Sequence, residues 1–468
     1  MTLRFAHRAL AGLLLTLAFV AGDCRAAAVH GSSAPGPLGA AGSDSAYYYY
    51  CPPGLVQTGS ADALANGRYC AFWLLKSFPL GGDTVRSLNT AAAVPGLDVL
   101  PVWKQTRGAG VTVAVVDTGV DRSNADLAPN LLPGENTYDG NDNTADDAGH
   151  GTVIASVIAA PAGNGGYVGI APEAKVLPVK VMGGSSGEDW SDKATVRGIE
   201  YALDHDAKVV NLSIGGLNTP IAGIDKALAD AQRAGALVVI AAGNDGVDLD
   251  NPQNTESPDG YGLSNTLTVA NFTTRGTLAV DSNYGARHVQ IASLGTVLWG
   301  DYPGNPTGGY LGGSSAAAAA TSGVAALLFA ADPSATAAQV RRAIVVGANT
   351  DVPALRGKVE ANGLLSATGA LAALAHPDTT PPAAFTANGP GYTFRSRGGA
   401  PVTFSWRPSA DAELEGYSLT VDGRTTILPP GVTTFRAALR AGSHRWRLSA
   451  YDLSGNRTTA SGPSRNWQ

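Results

Sequence analysis

Short apolar runs alternate with helical patterns along residues 96–375, and this alternation limits the possible folds more than any other feature. The apolar runs lie at residues 111–116, 176–181, 208–212 and 236–241, and their length suits buried strands. Helical patterns lie at residues 150–160, 193–205, 221–234 and 315–331. Strands that alternate with helices are typical of a parallel sheet covered on both faces. We therefore predict an α/β domain over residues 96–375, built on a mostly parallel sheet.

The first 28 residues have the pattern of a secretion signal. Arg4 and Arg8 precede an apolar stretch at residues 9–22, and alanines at positions 26–28 supply small residues for cleavage. An apolar stretch of about 14 residues is too short to span a bilayer, which argues against a membrane anchor. We expect a secreted or periplasmic protein with no stable membrane insertion after the signal is removed.

Residues 29–95 are rich in Gly, Ala, Ser and Tyr and have poor periodicity, so we interpret them as a pro-segment or N-terminal extension. Removal of the signal takes Cys24 with it and leaves Cys51 and Cys70. These two cysteines can pair in an oxidising compartment. Two unrelated thiols also fit the sequence, and we favour the disulfide.

A proline-rich linker at residues 376–384 separates the α/β domain from a C-terminal region with alternating apolar residues. The alternation over residues 385–468 predicts a small antiparallel β-sandwich that resembles fibronectin type III or Ig-like modules. Trp406 and Trp446 follow this alternation. They fit core positions, and exposed platforms for sugars are the alternative.

The composition excludes several kinds of partner. Charged residues make up 15% of the 468 residues, and the net charge is −6. Nucleic-acid binding needs a clustered basic surface, which this balance does not indicate. The few histidines are scattered and no Cys-x-x-Cys pair occurs, so we predict no metal site.

Four polar residues stand where predicted strands end or predicted helices begin, and an open parallel sheet places its active site at such points. They are Asp117, His150, Asn244 and Ser315. The Asp-Thr-Gly motif of Asp117 also occurs in aspartic proteases, but those enzymes need two acidic motifs and this chain has one. Taken singly, the other three also fit a structural histidine, a turn asparagine and a helix-capping serine.

Taken together in the chain order Asp, His, Asn, Ser, these motifs resemble the subtilisin-like serine proteases, the subtilase family. The order Asp, His, Ser separates that family from the chymotrypsin and α/β-hydrolase enzymes. The resemblance extends from about residue 105 to residue 373 and implies a three-layer subtilisin-like fold. The spacing to Gly323-Val324-Ala325 places the nucleophile at Ser315, with Ser314 at the position where threonine is usual.

The resemblance implies a role for each motif. Ser315 is the nucleophile, His150 the general base and Asp117 the residue that orients the imidazole, while Asn244 donates to the oxyanion. The walls of the main specificity pocket are expected at Ser213, Ile214, Gly215, Ala241, Ala242 and Gly243.

The same resemblance bears on the roles of two acidic residues. Glu256 aligns near the pocket floor, where a carboxylate favours Lys or Arg at the cleavage position, and an exposed loop glutamate fits equally well. Asp126 matches a residue that often binds calcium in the family, but residues 163–166 offer few side-chain oxygens. We therefore predict no required cofactor, and a structural calcium ion stays an alternative that these residues do not support.

The expected partners are protein or peptide substrates. The main rival from another class is a catalytically inactive subtilase scaffold that contacts a cell surface or polysaccharide through its C-terminal sandwich. The four intact polar residues favour the enzyme, because a scaffold alone needs none of them.

Overall fold

The structure is a computed structural model that describes residue 97 and residues 99–461, apart from 163–166, 185–186, 188, 259, 261, 274, 296–297 and 399–400. The side chains of residues 298–299 and 305–310 are also outside the description. The predicted signal, the extension at residues 29–95 and the Cys51–Cys70 disulfide lie outside the described residues.

The α/β part contains thirteen of the described strands and seven helices. The strands are β1 Thr112–Asp117, β2 Glu135–Asn136, β3 Lys175–Lys180, β4 Met182–Gly183, β5 Asp189–Trp190, β6 Val209–Leu212, β7 Gly216–Leu217, β8 Leu237–Ala241, β9 Glu256–Ser257, β10 Thr266–Phe272, β11 Ile291–Leu294, β12 Leu298–Tyr302 and β13 Asn305–Leu311. The helices are α1 Val99–Trp103, α2 His150–Ala159, α3 Asp192–Asp204, α4 Ile224–Ala234, α5 Ser314–Ala331, α6 Ala337–Val346 and α7 Ala367–Leu374. Short 3-10 turns occur at Ala128–Asn130 and Pro353–Leu355.

A seven-stranded sheet forms the centre of this part, in the order β11-β10-β8-β6-β1-β3-β2. All of its neighbouring strands are parallel. Alternate side chains of β1 enter different cores: Val113 and Val115 pack on the side of α2 and α5, while Ala114 and Val116 pack on the side of α3 and α4. The predicted α/β fold with helices on both faces is therefore confirmed.

The predicted elements agree with the observed ones to within three residues. Helix α4 begins at Ile224 rather than at residue 221 because Gly223 has a φ of 88°, outside the helical region. Strand β1 continues one residue further than predicted and ends on Asp117 itself. Helix α5 is long and apolar enough to cross a membrane, but 83% of it is buried, as expected of a core helix.

The C-terminal region forms antiparallel sheets around a separate core. Its strands are β14 Ala387–Asn388, β15 Thr393–Ser396, β16 Val402–Trp406, β17 Leu414–Val421, β18 Arg424–Leu428, β19 Thr434–Ala437, β20 Gly442–Asp452 and β21 Arg457–Thr459. One sheet has the order β14-β16-β19, and the other has β15-β20-β17-β18 with β21 paired to β20.

Both tryptophans of interest lie inside this core. Trp406 is 5% exposed and Trp446 is 4% exposed, and Trp446 Nε1 donates to the Pro390 carbonyl at 2.9 Å. Side chains this deeply buried present no face to a sugar, so the platform alternative is wrong for them. We refer to residues 385–461 as the C-terminal module.

Candidate active site

Asp117 ends the central strand β1 and is fully buried. Its Oδ1 lies 2.7 Å from His150 Nδ1 and also accepts a hydrogen bond from the Thr118 backbone N–H at 2.7 Å. A buried carboxylate is costly without such partners. The two bonds thus hold the carboxylate in place at the carboxyl edge of the sheet, facing the imidazole.

His150 is the first residue of α2, and two glycines beside it allow the close packing of this turn. Gly149 has a φ of 86°, which favours glycine. A Cβ atom on Gly151 would lie 2.1 Å from the Gly119 carbonyl oxygen, so only glycine fits there. The glycines of the His-Gly-Thr motif therefore bring the imidazole against the end of β1.

Asp146 is a buried acid beside His150 that the sequence analysis missed. Its Oδ1 accepts from Thr118 Oγ1 at 2.8 Å and from the Gly149 N–H at 2.7 Å. Its Oδ2 accepts from the N–H and the hydroxyl of Thr152 at 2.8 and 2.6 Å. Asp146 thereby connects the end of β1 to the first turn of α2. The only sign of this role in the sequence is an acidic residue four positions before the histidine that begins a predicted helix.

The net effect of these surroundings is to raise the pKa of His150 above its usual value of 6.5. Burial acts to lower that pKa, but the negative charge of Asp117, the hydrogen bond to Asp117 and the charge of Asp146 together outweigh it. The side chain of His150 is 27% exposed, so part of the imidazole remains accessible to solvent.

Replacing Asp146 by Asn should shift the pH dependence of catalysis. The substitution removes one of the charges that raise the pKa of His150. Because a general base must be neutral, the acid limb of kcat/KM should move to lower pH. A pH profile of peptide hydrolysis measures this, with exposed Asp142→Asn as the matched control. An acid limb that stays in place in Asp146→Asn would contradict the assignment.

Ser314 and Ser315 begin α5, and their surroundings differ. Ser314 is fully buried, and its hydroxyl accepts from the Gly243 N–H and bonds to Asn244 Oδ1, each at 3.1 Å. Ser315 is partly exposed, and its Oγ donates to the Ser213 carbonyl oxygen at 3.3 Å. Both serines line the cleft, and Ser315 is the one that is partly exposed there. Its hydroxyl bonds to this carbonyl rather than to His150, and catalytic hydrogen bonds often tighten only when substrate binds.

Asn244 follows β8 and is exposed at the same cleft. Its Oδ1 accepts from the backbone N–H of Ser314 at 2.9 Å as well as from that residue's hydroxyl. With the oxygen used in this way, the amide NH₂ is the group that remains to donate. This arrangement suits a donor for an oxyanion formed beside Ser315.

A cleft of about 520 Å³ lies in front of Ser315. Of the residues expected on its walls, it is lined by Ser213, Ile214, Gly215, Ala241, Gly243 and Glu256. Ala242 is an exception: its side chain is fully buried in the core, while its neighbours Ala241 and Gly243 both line the cleft. Met182, Trp190 and Leu217 add apolar walls that the sequence analysis missed, since they lie on two-residue strands too short to produce a pattern.

Glu256 lies between two walls of the cleft rather than in an exposed loop. It is 7% exposed and belongs to β9, which pairs with β7. Cβ atoms on Gly215 and Gly243 would come within 2.9 and 2.8 Å of its two carboxylate oxygens. Asn283 Nδ2 donates to Oε2 at 3.3 Å. The structure thus places a carboxylate beside both glycine walls of the cleft.

Asp126 and Asp301 form a close carboxyl pair behind α2. Asp301 Oδ2 accepts from Ser156 Oγ of α2 at 3.3 Å, and Asp126 Oδ2 accepts from the Tyr167 N–H at 2.7 Å. Burial, with the charge of Asp126, raises the pKa of Asp301 to about 8. Asp126 and Asp301 are therefore two acidic side chains close together at this position, and we derive no step through a metal.

Replacing Asp301 by Asn should change how stability depends on pH. The pKa of Asp301 is raised from its ordinary value of 3.8 to about 8 in the folded chain. The contribution of this carboxyl to stability is therefore fully present below pH 3.8, and it is lost as the pH rises through about 8. The neutral amide does not titrate, so the variant should gain in Tm relative to the parent between pH 5 and about 9. Thermal melts in an inactive Ser315→Ala background measure this, with exposed Asp281→Asn as control. A Tm difference that is constant with pH would contradict the raised pKa of Asp301.

Comparisons with a family model, with protein sequences and with solved structures all find subtilases or other proteases. A model of the subtilase family matches residues 108–370. The chain is 37% identical over 168 residues to the major intracellular serine protease of Bacillus subtilis, covering 34% of this chain and 51% of that protein. It is 35% identical over 202 residues to thermitase of Thermoactinomyces vulgaris, covering 43% and 68% respectively. The match therefore spans about half the length of the first relative and two thirds of the second.

A solved protease structure from Pseudoalteromonas arctica PAMC 21717 is also similar, with a TM-score of 0.52 and 29% identity. The similarity covers 60% of this chain and 94% of that one.

Proposed function

Because the chain belongs to the subtilase family, we propose that it is a serine endopeptidase that hydrolyses peptide bonds through Asp117, His150 and Ser315. The observation that carries the proposal is the 2.7 Å bond between Asp117 Oδ1 and His150 Nδ1. Ser315 and Asn244 line a cleft that Gly187 also lines, and a Cβ atom on Gly187 would lie 3.3 Å from Cβ of Ala148, two residues before His150. The four polar residues come from separate parts of the chain, and the proposal brings them together in one site. An inactive scaffold gives no reason for the chain to have all four.

The chemistry follows from the roles of these groups. Ser315 Oγ attacks the scissile carbonyl carbon while His150 Nε2 takes its proton, and the C–N bond breaks as the imidazolium returns that proton to the leaving amine. Water, which gives a proton to His150 Nε2, then attacks the acyl carbon, and the ester bond to Ser315 Oγ breaks as the imidazolium returns the proton to that oxygen. Asp117 keeps Nδ1 protonated and stabilises the imidazolium, and Asn244 with the Ser315 N–H donates to the oxyanion.

Substrate backbone has a place to pair beside the nucleophile. Residues 213–215 lie between β6 and β7, belong to neither strand and border the cleft. An extended peptide that pairs there would add a strand next to Ser315, a form of β-augmentation. We propose peptide segments of proteins as the substrates and secretion, or export to the periplasm, as the location. We further propose residues 29–95 as a pro-segment and a fibronectin type III or Ig-like identity for the C-terminal module.

A covalent probe tests the proposed function directly. A fluorophosphonate reagent should modify Ser315 alone among the serines of the expressed chain, because only this hydroxyl has His150 as its base. Mass spectrometry of the digested adduct identifies the residue, and Ser315→Ala is the control. A protein that cleaves no peptide and takes no label at Ser315 is not a serine peptidase.

Glu256→Gln should weaken a preference for basic residues at P1. The carboxylate lies between Gly215 and Gly243, the walls of the cleft, and attracts Lys or Arg at the cleavage position. Its neutral isostere should lower the ratio of kcat/KM for a P1-Lys peptide over a matched P1-Phe peptide by about tenfold or more. Exposed Asp281→Asn is the control for net charge. A parent enzyme indifferent to basic P1 residues would contradict this specificity.

A further inference from the structure

The chain that follows Glu256 connects the cleft to the C-terminal module. We define the closing segment as Glu256, Ser257, Pro258, Gly260 and residues 262–266. Its first residue lines the cleft and its last residue begins β10 of the central sheet. Thr266 Oγ1 donates to the carbonyl oxygens of Gly260 and Leu263 at 2.6 and 3.0 Å. The far end of the segment is therefore bonded back to Gly260, four residues after Glu256.

The C-terminal module packs directly on the far half of this segment. A Cβ atom on Gly262 would lie 2.2 Å from Ile427 Cγ2, so the isoleucine of β18 rests on the glycine backbone. Gly262 has a φ of 79°, a conformation that few other residues adopt. A Cβ atom on Gly455, in the loop between β20 and β21, would lie 3.5 Å from Ser264 Oγ.

A buried arginine of α6 joins the closing segment to the C-terminal module. Arg341 of α6 is 1% exposed, and its Nε donates to the Thr266 carbonyl oxygen at 2.8 Å. Its Nη2 lies 2.7 Å from Glu415 Oε1 of the module and 3.2 Å from Glu360 Oε2. The closing segment and β17 therefore share one guanidinium. Burial of this charge is tolerated only while its acidic partners stay in place.

A second ion pair fixes the module on the adjacent residue of α6. Arg342 bonds to both carboxylate oxygens of Glu413, at 2.5 and 2.6 Å. A bidentate pair sets orientation as well as distance. The module is thus held in a defined position on the α/β domain by contacts beyond its covalent connection through the linker at residues 376–384.

We propose that the C-terminal module is a positioning element of the specificity pocket, which holds the closing segment, and with it Glu256, through Ile427 and Glu415. This inference rests on the proposed endopeptidase function and adds to it a role for the module in substrate selection. The contacts above lie at the far end of the closing segment, and those described for the module include none with Asp117, His150 or Ser315. Loosening them should therefore change P1 discrimination through KM and leave the chemical step intact.

Truncation of Ile427 in the full chain tests the proposal. Ile427→Ala removes the side chain that rests on Gly262, and Ile427→Val removes one methylene. The ratio of kcat/KM for P1-Lys and P1-Phe peptides should change about tenfold in the alanine variant and less in the valine variant. The change should appear in KM, while kcat and the rate of fluorophosphonate labelling stay within about twofold of the parent.

Thr425→Ala is the matched control, because Thr425 lies on the same strand and bonds to Thr420 of the module. It should leave the P1 ratio unchanged. An unaltered ratio in an Ile427→Ala protein that labels normally overturns the proposal, and so does a loss confined to kcat. If Ile427→Ala does not fold, the same comparison is made with Ile427→Val. A parent chain that neither labels at Ser315 nor cleaves either peptide overturns the proposed function itself, which distinguishes the two failures.

Discussion

Ser315→Ala is expected to lower kcat for peptide hydrolysis by about 10⁶, a magnitude borrowed from the nucleophile of a subtilisin. The substitution removes the oxygen that, in the proposed mechanism, forms the acyl-enzyme. The remaining activity comes from the oxyanion donors and from substrate binding. Hydrolysis of a fluorogenic peptide, followed over long times to reach the low rate, measures this loss.

Ser314→Ala is the informative control for this experiment. The Ser314 hydroxyl is buried and bonds to Asn244 Oδ1 and the Gly243 N–H. Its loss should disturb the position of the oxyanion donor and cost at most about 10²–10³ in kcat, the scale of a lost oxyanion-hole bond. Equal losses in the two variants would contradict the assignment of Ser315, and so would an active Ser315→Ala enzyme.

The sequence predicted the parts of this site that depend on local pattern. Asp117, His150 and Ser315 lie where a strand ends or a helix begins, and periodicity locates such points. Asp146 could not be found in this way, because its role depends on Thr118 and Thr152, which approach it only in the folded chain. Among the expected wall residues, Ala242 is fully buried, and its burial depends on tertiary packing that the sequence pattern does not show.

The position of Glu256 is a second feature that the sequence alone could not predict. The sequence left a pocket floor and an exposed loop as equal interpretations, because the loop lengths around it blur the alignment. The antiparallel pairing of β9 with β7 decides between them by turning the carboxylate towards Gly215 and Gly243. Two-residue strands produce no hydrophobic period, so this pairing was invisible in the sequence.

The docking of the C-terminal module was equally invisible. Arg341 and Arg342 are adjacent charges on a helix, a pattern that usually indicates a solvated face. In the structure they are 1% and 8% exposed, and their partners Glu415 and Glu413 lie more than 70 residues further along the chain. Long-range ion pairs of this kind follow from tertiary packing and leave no periodic signal.

Asp117→Asn is expected to lower kcat by about 10⁴ while substrate binding stays nearly unchanged. The amide keeps the shape of the side chain, but it can donate to Nδ1 and so favours the tautomer in which Nε2 carries the proton and cannot act as base. The substitution also removes the negative charge that raises the pKa of His150. The remaining activity should therefore show an acid limb at lower pH than the parent.

Kinetics over a range of pH test both consequences of Asp117→Asn, and fluorophosphonate labelling should slow in parallel because it uses the same base. Asp121→Asn serves as the control, since this nearby carboxylate bonds to Ser123. A mainly structural Asp117 would produce an unstable protein whose folded fraction keeps its kcat. A stable variant with a large loss of kcat instead requires Asp117 to act through the imidazole, as the 2.7 Å bond to Nδ1 indicates.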